Sequence, residues 1–171
     1  LSVGIVLAAA LLVYANSLRN GFVWDDHIMV EGNAFVSEPA NLKHLLNWRY
    51  YTGAHAVTAG TRPVFLASLL VDRFLWGESP AGYHLTNVFL HAANSVLVYG
   101  LAAALFSAGP VPLLSGLLFA LHPITTEAVN AVSFRSDLLA AFFLFSGLAV
   151  YLRSRAAGSV AALFLIGVSA V

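Results

Sequence analysis

No Asp, Glu, Lys or Arg occurs between Tyr83 and Phe106. At about 1.5 Å per residue, a helix over that run crosses the roughly 30 Å hydrocarbon core of a bilayer. Shorter apolar runs cover 1–15, 111–121, 138–152 and 158–171. Lipid offers no hydrogen bonds to an open backbone, so such runs are expected as helices. Charged residues make up 9% of the 171 residues, against roughly 25% in a soluble domain. That is too few to coat a globule, and the chain reads as an all-α integral membrane protein.

Other classes fall away on the same counts. The formal net charge of +0 leaves no basic surface for nucleic acid. The absence of cysteine excludes disulfides and thiolate metal sites. Arginine far outnumbers lysine, which suggests a GC-rich prokaryotic genome and a prokaryotic cell membrane. Both ends fall inside apolar runs, with no basic n-region and no cleavage site. A fragment of a longer membrane protein is therefore expected, not a chain led by a signal peptide.

Spans are expected at about 1–16, 83–106, 111–131, 138–152 and 158–171, with a loop at 17–82. That loop holds six of the eight acids and five of the eight basic residues, which makes it extramembrane. Its Trp48-Arg49-Tyr50-Tyr51 cluster suits the membrane interface. After Arg62-Pro63, apolar residues at 64, 65, 66, 69, 70, 71, 74 and 75 predict an amphipathic helix lying on the membrane. Ser68, Asp72 and Arg73 are expected on its polar side. Arg153 and Arg155 mark a short cytoplasmic loop by the positive-inside rule. Counting back, 17–82 and 122–137 are both external. Asp25, Asp26, Arg62, His122, Glu127, Arg135 and Asp137 then share one face.

Four groups carry candidate chemistry. Asp25 and Asp26 sit beside Trp24, close to the end of the first span. Carboxylates there suit general-base work, with a helix-capping pair as the plainer alternative. His27 makes a metal site conceivable, but no second ligand pattern stands nearby. His84, Asn87, His91 and Asn94 recur at spacings of three, four and three, so they form one stripe on an apolar helix. Such a stripe either glues helices together or faces a cavity. His122, Glu127, Arg135 and Asp137 follow an apolar run too short to span alone, so His122, Glu127 and Arg135 are expected below the external surface. There Arg135 either stays open to a ligand or closes a pair with Glu127 or Asp137. Arg62, beside a proline in the loop, suits bidentate phosphate binding.

Three patches together carry a family resemblance. They are Asn20-Gly21-Phe22-Val23-Trp24-Asp25-Asp26; Thr61-Arg62-Pro63-Val64 with Gly82-Tyr83-His84-Leu85-Thr86-Asn87-Val88-Phe89-Leu90-His91; and Phe119-Ala120-Leu121-His122-Pro123-Ile124 with Thr126-Glu127-Ala128-Val129 and Arg135-Ser136-Asp137-Leu138-Leu139. In order and spacing the chain resembles the GT-C membrane glycosyltransferases of the protein O-mannosyltransferase type, above all those that target cadherins and their prokaryotic relatives. The resemblance implies the N-terminal part of a GT-C multi-helix bundle, with a large external first loop carrying amphipathic helices. It implies a polyprenyl-phosphate sugar donor, a protein or glycan acceptor and inversion at the anomeric carbon. It places the base at Asp25 with Asp26 as partner, and the donor phosphate at Arg62. His84, Asn87, His91, His122, Glu127, Arg135 and Asp137 are the further candidates for substrate binding. It implies no cofactor and no divalent metal, and tetratricopeptide repeats beyond this stretch. Two positions depart from the family pattern. Thr125 stands where a second histidine is usual, and Phe134 and Ser136 replace the small residues flanking Arg135.

The expected function is an inverting hexosyltransferase working at the external face. In a eukaryote that face would be the lumen of the endoplasmic reticulum. The rivals are a transporter or channel with a polar helix stripe, and a non-catalytic membrane scaffold. A permeation path should continue into the cytoplasmic half, yet 101–106 and 111–121 offer only Ser115.

Overall fold

The computed structural model describes residues 1–45, 47, 62–106 and 109–153. Every element among them is helical. Helix α1 (Ser2–Val13) passes through a 3-10 turn, Ala15–Arg19, into the first loop. Helix α2 (Pro63–Trp76) precedes α3 (Pro80–Leu105). Helices α4 (Val111–Leu121), α5 (Thr126–Asn130) and α6 (Arg135–Arg153) complete the described chain. Three helical stretches are long and apolar enough to cross a membrane: Ser2–Arg19, Pro80–Leu105 and Val132–Arg153. Val111–Leu121 and Pro123–Asn130 form a further pair, bent by 44°. The expected all-α membrane class is met. The Trp48–Tyr51 cluster, Arg155 and the expected span at 158–171 lie outside the described residues.

Helix α3 is the hub, packed against α1, α4 and α6, with α2 folded onto it. It starts at Pro80, three residues earlier than the apolar run suggests. Proline loses nothing at a first helical position, where its N–H would have no partner. Helix α6 likewise starts at Arg135, not at Leu138. Its first turn therefore holds Asp137, an acid at the positive end of the helix dipole. Helix α1 is apolar all round, and only Val6 and Ala10 are buried in the protein. Leu11 packs partly against the core, and exposed side chains such as Leu12, at 74% exposure, are left to the lipid. Gly116 of α4 sits where a Cβ would meet Tyr99 and Val6 at 3.0 Å. Glycine there lets α1, α3 and α4 approach closely.

The bend after α4 follows from Pro123. His122, the residue before it, is extended (φ −69°, ψ 129°), as steric clash with the proline ring favours. Beyond it the chain runs through two 3-10 turns and the short α5 before α6 begins.

Helix α2 corrects one expectation. Its polar side is divided: Arg73 pairs with the exposed Glu78 at 2.8 Å, but Asp72 is turned inward. Asp72 is buried at 1% exposure, beside Phe65, Leu66, Leu69 and Leu70. Val71, Phe74 and Leu75 face outward instead. The reason is a buried cation, Arg135, on the inner side.

Candidate active site

The irregular stretch from 120 to 138 lies in an apolar setting, so its backbone groups need partners. The α3 stripe supplies them. His91 Nε2 lies 3.1 Å from the carbonyl of Ala120, near the C-terminal end of α4. Asn87 Nδ2 donates to the carbonyls of Val129 (3.2 Å) and Ala131 (3.3 Å). Asn94 Nδ2 donates to the carbonyl of Leu138 at 2.9 Å. One turn nearer the loop, His84 Nε2 lies 3.2 Å from the carbonyl of Gly21. All four side chains are fully buried. They form one stripe, as their spacing predicts. Each holds a neighbouring backbone segment, the gluing alternative for the stripe, while Nδ1 of His84 and of His91 is buried with no hydrogen-bond partner among the described residues.

Arg135 is also fully buried. Its Nη2 lies 2.6 Å from Asp72 Oδ2 and donates to the carbonyl of Tyr83 at 2.9 Å. Its Nε donates to Asn87 Oδ1 at 2.7 Å, and Nη1 reaches Ser68 Oγ at 3.4 Å. Burial pushes the Asp72 carboxyl above its usual range, while Arg135 and the Thr86 hydroxyl, which donates to Oδ1 at 2.7 Å, pull it back. Neither Glu127 nor Asp137 takes part. Both are exposed, with no side-chain partner among the described residues. Arg135 is therefore a staple joining α2, α3 and α6, and its expected open or Glu127/Asp137-paired states are corrected. The missed residue is Asp72. Its sequence signal is a lone acid in an apolar helix, which demands a cation, and Arg135 was the buried cation to hand.

The adjacent carboxylates divide. Asp26 is fully buried. Its Oδ1 accepts from the Ser133 amide at 2.7 Å, and its Oδ2 from Val132 (3.2 Å) and Val23 (3.3 Å). It clamps the first loop to the turn that leads into α6. Asp25 is exposed, and its carboxylate has no partner among the described residues. Trp24, just before it, has φ +49°, the single positive φ outside glycine among the described residues. Phe22 is buried edge-on against Tyr83 at 5.4 Å between ring centres, which fixes the near side of this loop.

Arg62 precedes α2 as its exposed N-cap. Its Nη1 donates to Ser136 Oγ at 3.1 Å, leaving Nη2 and Nε without partners among the described residues. Asp26 and Arg62 are thus tied to one short segment, 132–136, which brings the first loop and the 122–137 stretch together as expected. His122 is exposed, and its Nδ1 accepts from the Ile124 amide at 3.2 Å. Thr125, at the departure from the family pattern, bonds the Tyr14 hydroxyl at 2.9 Å. His27 Nδ1 lies 2.6 Å from Glu31 Oε2. Among the described residues no three acids or histidines gather as a metal site.

Comparison with known proteins gives a consistent match. The chain is 33% identical over 150 residues to protein O-mannosyl-transferase tmtc2 of Xenopus laevis, covering 85% of this chain and 18% of that protein. It is 36% identical over 135 residues to protein O-mannosyl-transferase Tmtc1 of Drosophila melanogaster, covering 77% of this chain and 16% of that one. With protein O-mannosyl-transferase TMTC3 of Homo sapiens it shares 33% identity over 158 residues, 91% of this chain and 17% of the relative. The chain thus spans under a fifth of the length of these curated relatives. No family model matches it, and no solved structure matches it significantly. The aligned identity runs through most of this chain, and with it the chain belongs to the GT-C membrane glycosyltransferases of the protein O-mannosyl-transferase type.

Proposed function

We propose that this chain forms the catalytic end of an inverting glycosyltransferase. It moves a mannose-like hexose from a polyprenyl-phosphate donor to a hydroxyl acceptor, a protein Ser or Thr, at the external membrane face. One observation carries the reading. Asp25 is an exposed carboxylate with no partner among the described residues, held by a loop whose other acid, Asp26, is buried and accepts three backbone hydrogen bonds. The names of the relatives supply the transferase class.

In this mechanism Asp25 takes the proton from the acceptor hydroxyl as its oxygen attacks the anomeric carbon. The bond from that carbon to the phosphate oxygen breaks, and the phosphate leaves with the electron pair. Attack from the face opposite the phosphate inverts the centre. Arg62 offers the Nε–Nη2 edge of its guanidinium, unpartnered among the described residues, to the phosphate as charge grows there. No step uses a metal.

The test is transfer by the full-length protein from a polyprenyl-phosphate hexose to an acceptor peptide. Asp25→Asn should lower turnover by ~10²–10⁴-fold, the usual cost of a lost general base. Its melting temperature and donor binding should stay at wild-type values, since the carboxylate bonds nothing among the described residues. Near-normal turnover in that variant rules Asp25 out as the base.

A further inference from the structure

We propose that the indole of Trp24 is the platform on which the donor's hexose ring stacks, next to the Asp25 base. This rests on the transferase reading above. Positive φ is strained for a bulky side chain, and such strain persists only where neighbours over-determine it. The neighbours here are visible. Val23 donates to Asp26 Oδ2, Asp26 N–H to the Val23 carbonyl at 2.9 Å, and His27 N–H to the Trp24 carbonyl at 3.2 Å. Asp26 is itself clamped to Val132 and Ser133. Residue 24 therefore cannot relax without undoing the clamp.

The strained residue is also the most exposed large hydrophobic of its segment. Phe22 is buried and Val23 is 41% exposed, while Trp24 is 80% exposed. The ring meets no other aromatic ring, and its N–H donates to nothing, among the described residues. The outward aromatic Phe74, at 77% exposure, sits on regular helix, so facing lipid needs no such backbone. A hexopyranose presents C–H bonds on its faces and hydroxyls at its rim. An indole matches both, with an apolar face and one N–H donor at its edge. The Asp25 carboxylate, on the next residue, is the proton acceptor the transfer needs beside that sugar.

The experiment is an equilibrium titration of full-length protein in lipid nanodiscs. The two probes are bare polyprenyl phosphate and polyprenyl-phosphate mannose. Wild type should bind the hexose-bearing lipid more tightly. Trp24→Ala should lose about tenfold for that lipid, near what one well-placed aromatic contact supplies, and nothing for the bare one. Trp24→Phe should keep most of the preference. Trp24→Gly relieves the backbone, so it should melt higher while losing the same preference. Should Trp24→Ala fold poorly, the contrast between Phe and Gly carries the test. The proposal is overturned if wild type binds the two lipids equally, or if removing the ring leaves their ratio unchanged. It is also overturned if both lipids weaken together, which would make Trp24 a contact to the bilayer or the lipid tail. A wild type that prefers the hexose-bearing lipid yet transfers nothing would refute the transferase reading and spare Trp24. Normal transfer with an unchanged ratio in Trp24→Ala would do the reverse.

Discussion

Asp25 and Asp26 are identical side chains one residue apart, and their substitutions should fail in different ways. Asp26→Ala strands the buried amides of Val132 and Ser133. Each unsatisfied buried group costs about 1–3 kcal/mol, so a loss of ~2–6 kcal/mol and a lower melting temperature are expected. Turnover should fall with the fold and recover in part on cooling, which a loss of base would not do. Arg62→Ala removes an exposed side chain with one hydrogen bond among the described residues, to Ser136. Its melting temperature should hold while the donor KM rises about tenfold or more, the scale of a lost charge-assisted contact. An unchanged donor KM would move the phosphate elsewhere.

Helices meet here through buried polar contacts, and the Asp72–Arg135 pair is the strongest link between α2, α3 and α6. Breaking one side of a buried pair typically costs about 3–5 kcal/mol, because the remaining charge is stranded. Arg135→Ala and Asp72→Ala should each melt well below wild type. The double variant Asp72→Leu with Arg135→Met should be more stable than the sum of single losses allows, since no charge is left behind. Additive losses in such a cycle would show that the two do not act as a pair. At the α1–α3–α4 crossing, Gly116→Leu should destabilise by at least ~1–3 kcal/mol, because the new side chain has Tyr99 and Val6 in its way. Gly116→Ala should be milder, and equal melting for glycine and leucine would argue against close packing there.

Across the whole molecule, the first loop and the 122–137 stretch meet through Asp26, Arg62 and the Tyr14–Thr125 hydroxyl pair. They must therefore lie on one side of the membrane. Cysteines at Ala40 and Pro110, both exposed, report the two sides in intact cells. An impermeant thiol reagent should label position 40 and leave position 110 alone. The opposite pattern would turn the protein over in the membrane and take the proposed acceptor face with it.

The membrane class was legible from the sequence, because apolar length and missing charge are local properties that lipid judges directly. The α3 stripe was legible too, since helical period alone puts His84, Asn87, His91 and Asn94 on one side. The pairing of the first loop with the 122–137 stretch followed from counting spans. Tertiary structure decided the partners. Whether a buried arginine meets Asp72, Glu127 or Asp137 depends on which helices cross at that depth, and spacing along one helix says nothing of that. The same holds for the acid pair. Sequence places Asp25 and Asp26 side by side, but only the fold turns one toward the amides of Val132 and Ser133 and leaves the other in the open. A backbone donor waiting more than a hundred residues away leaves no mark on the local pattern.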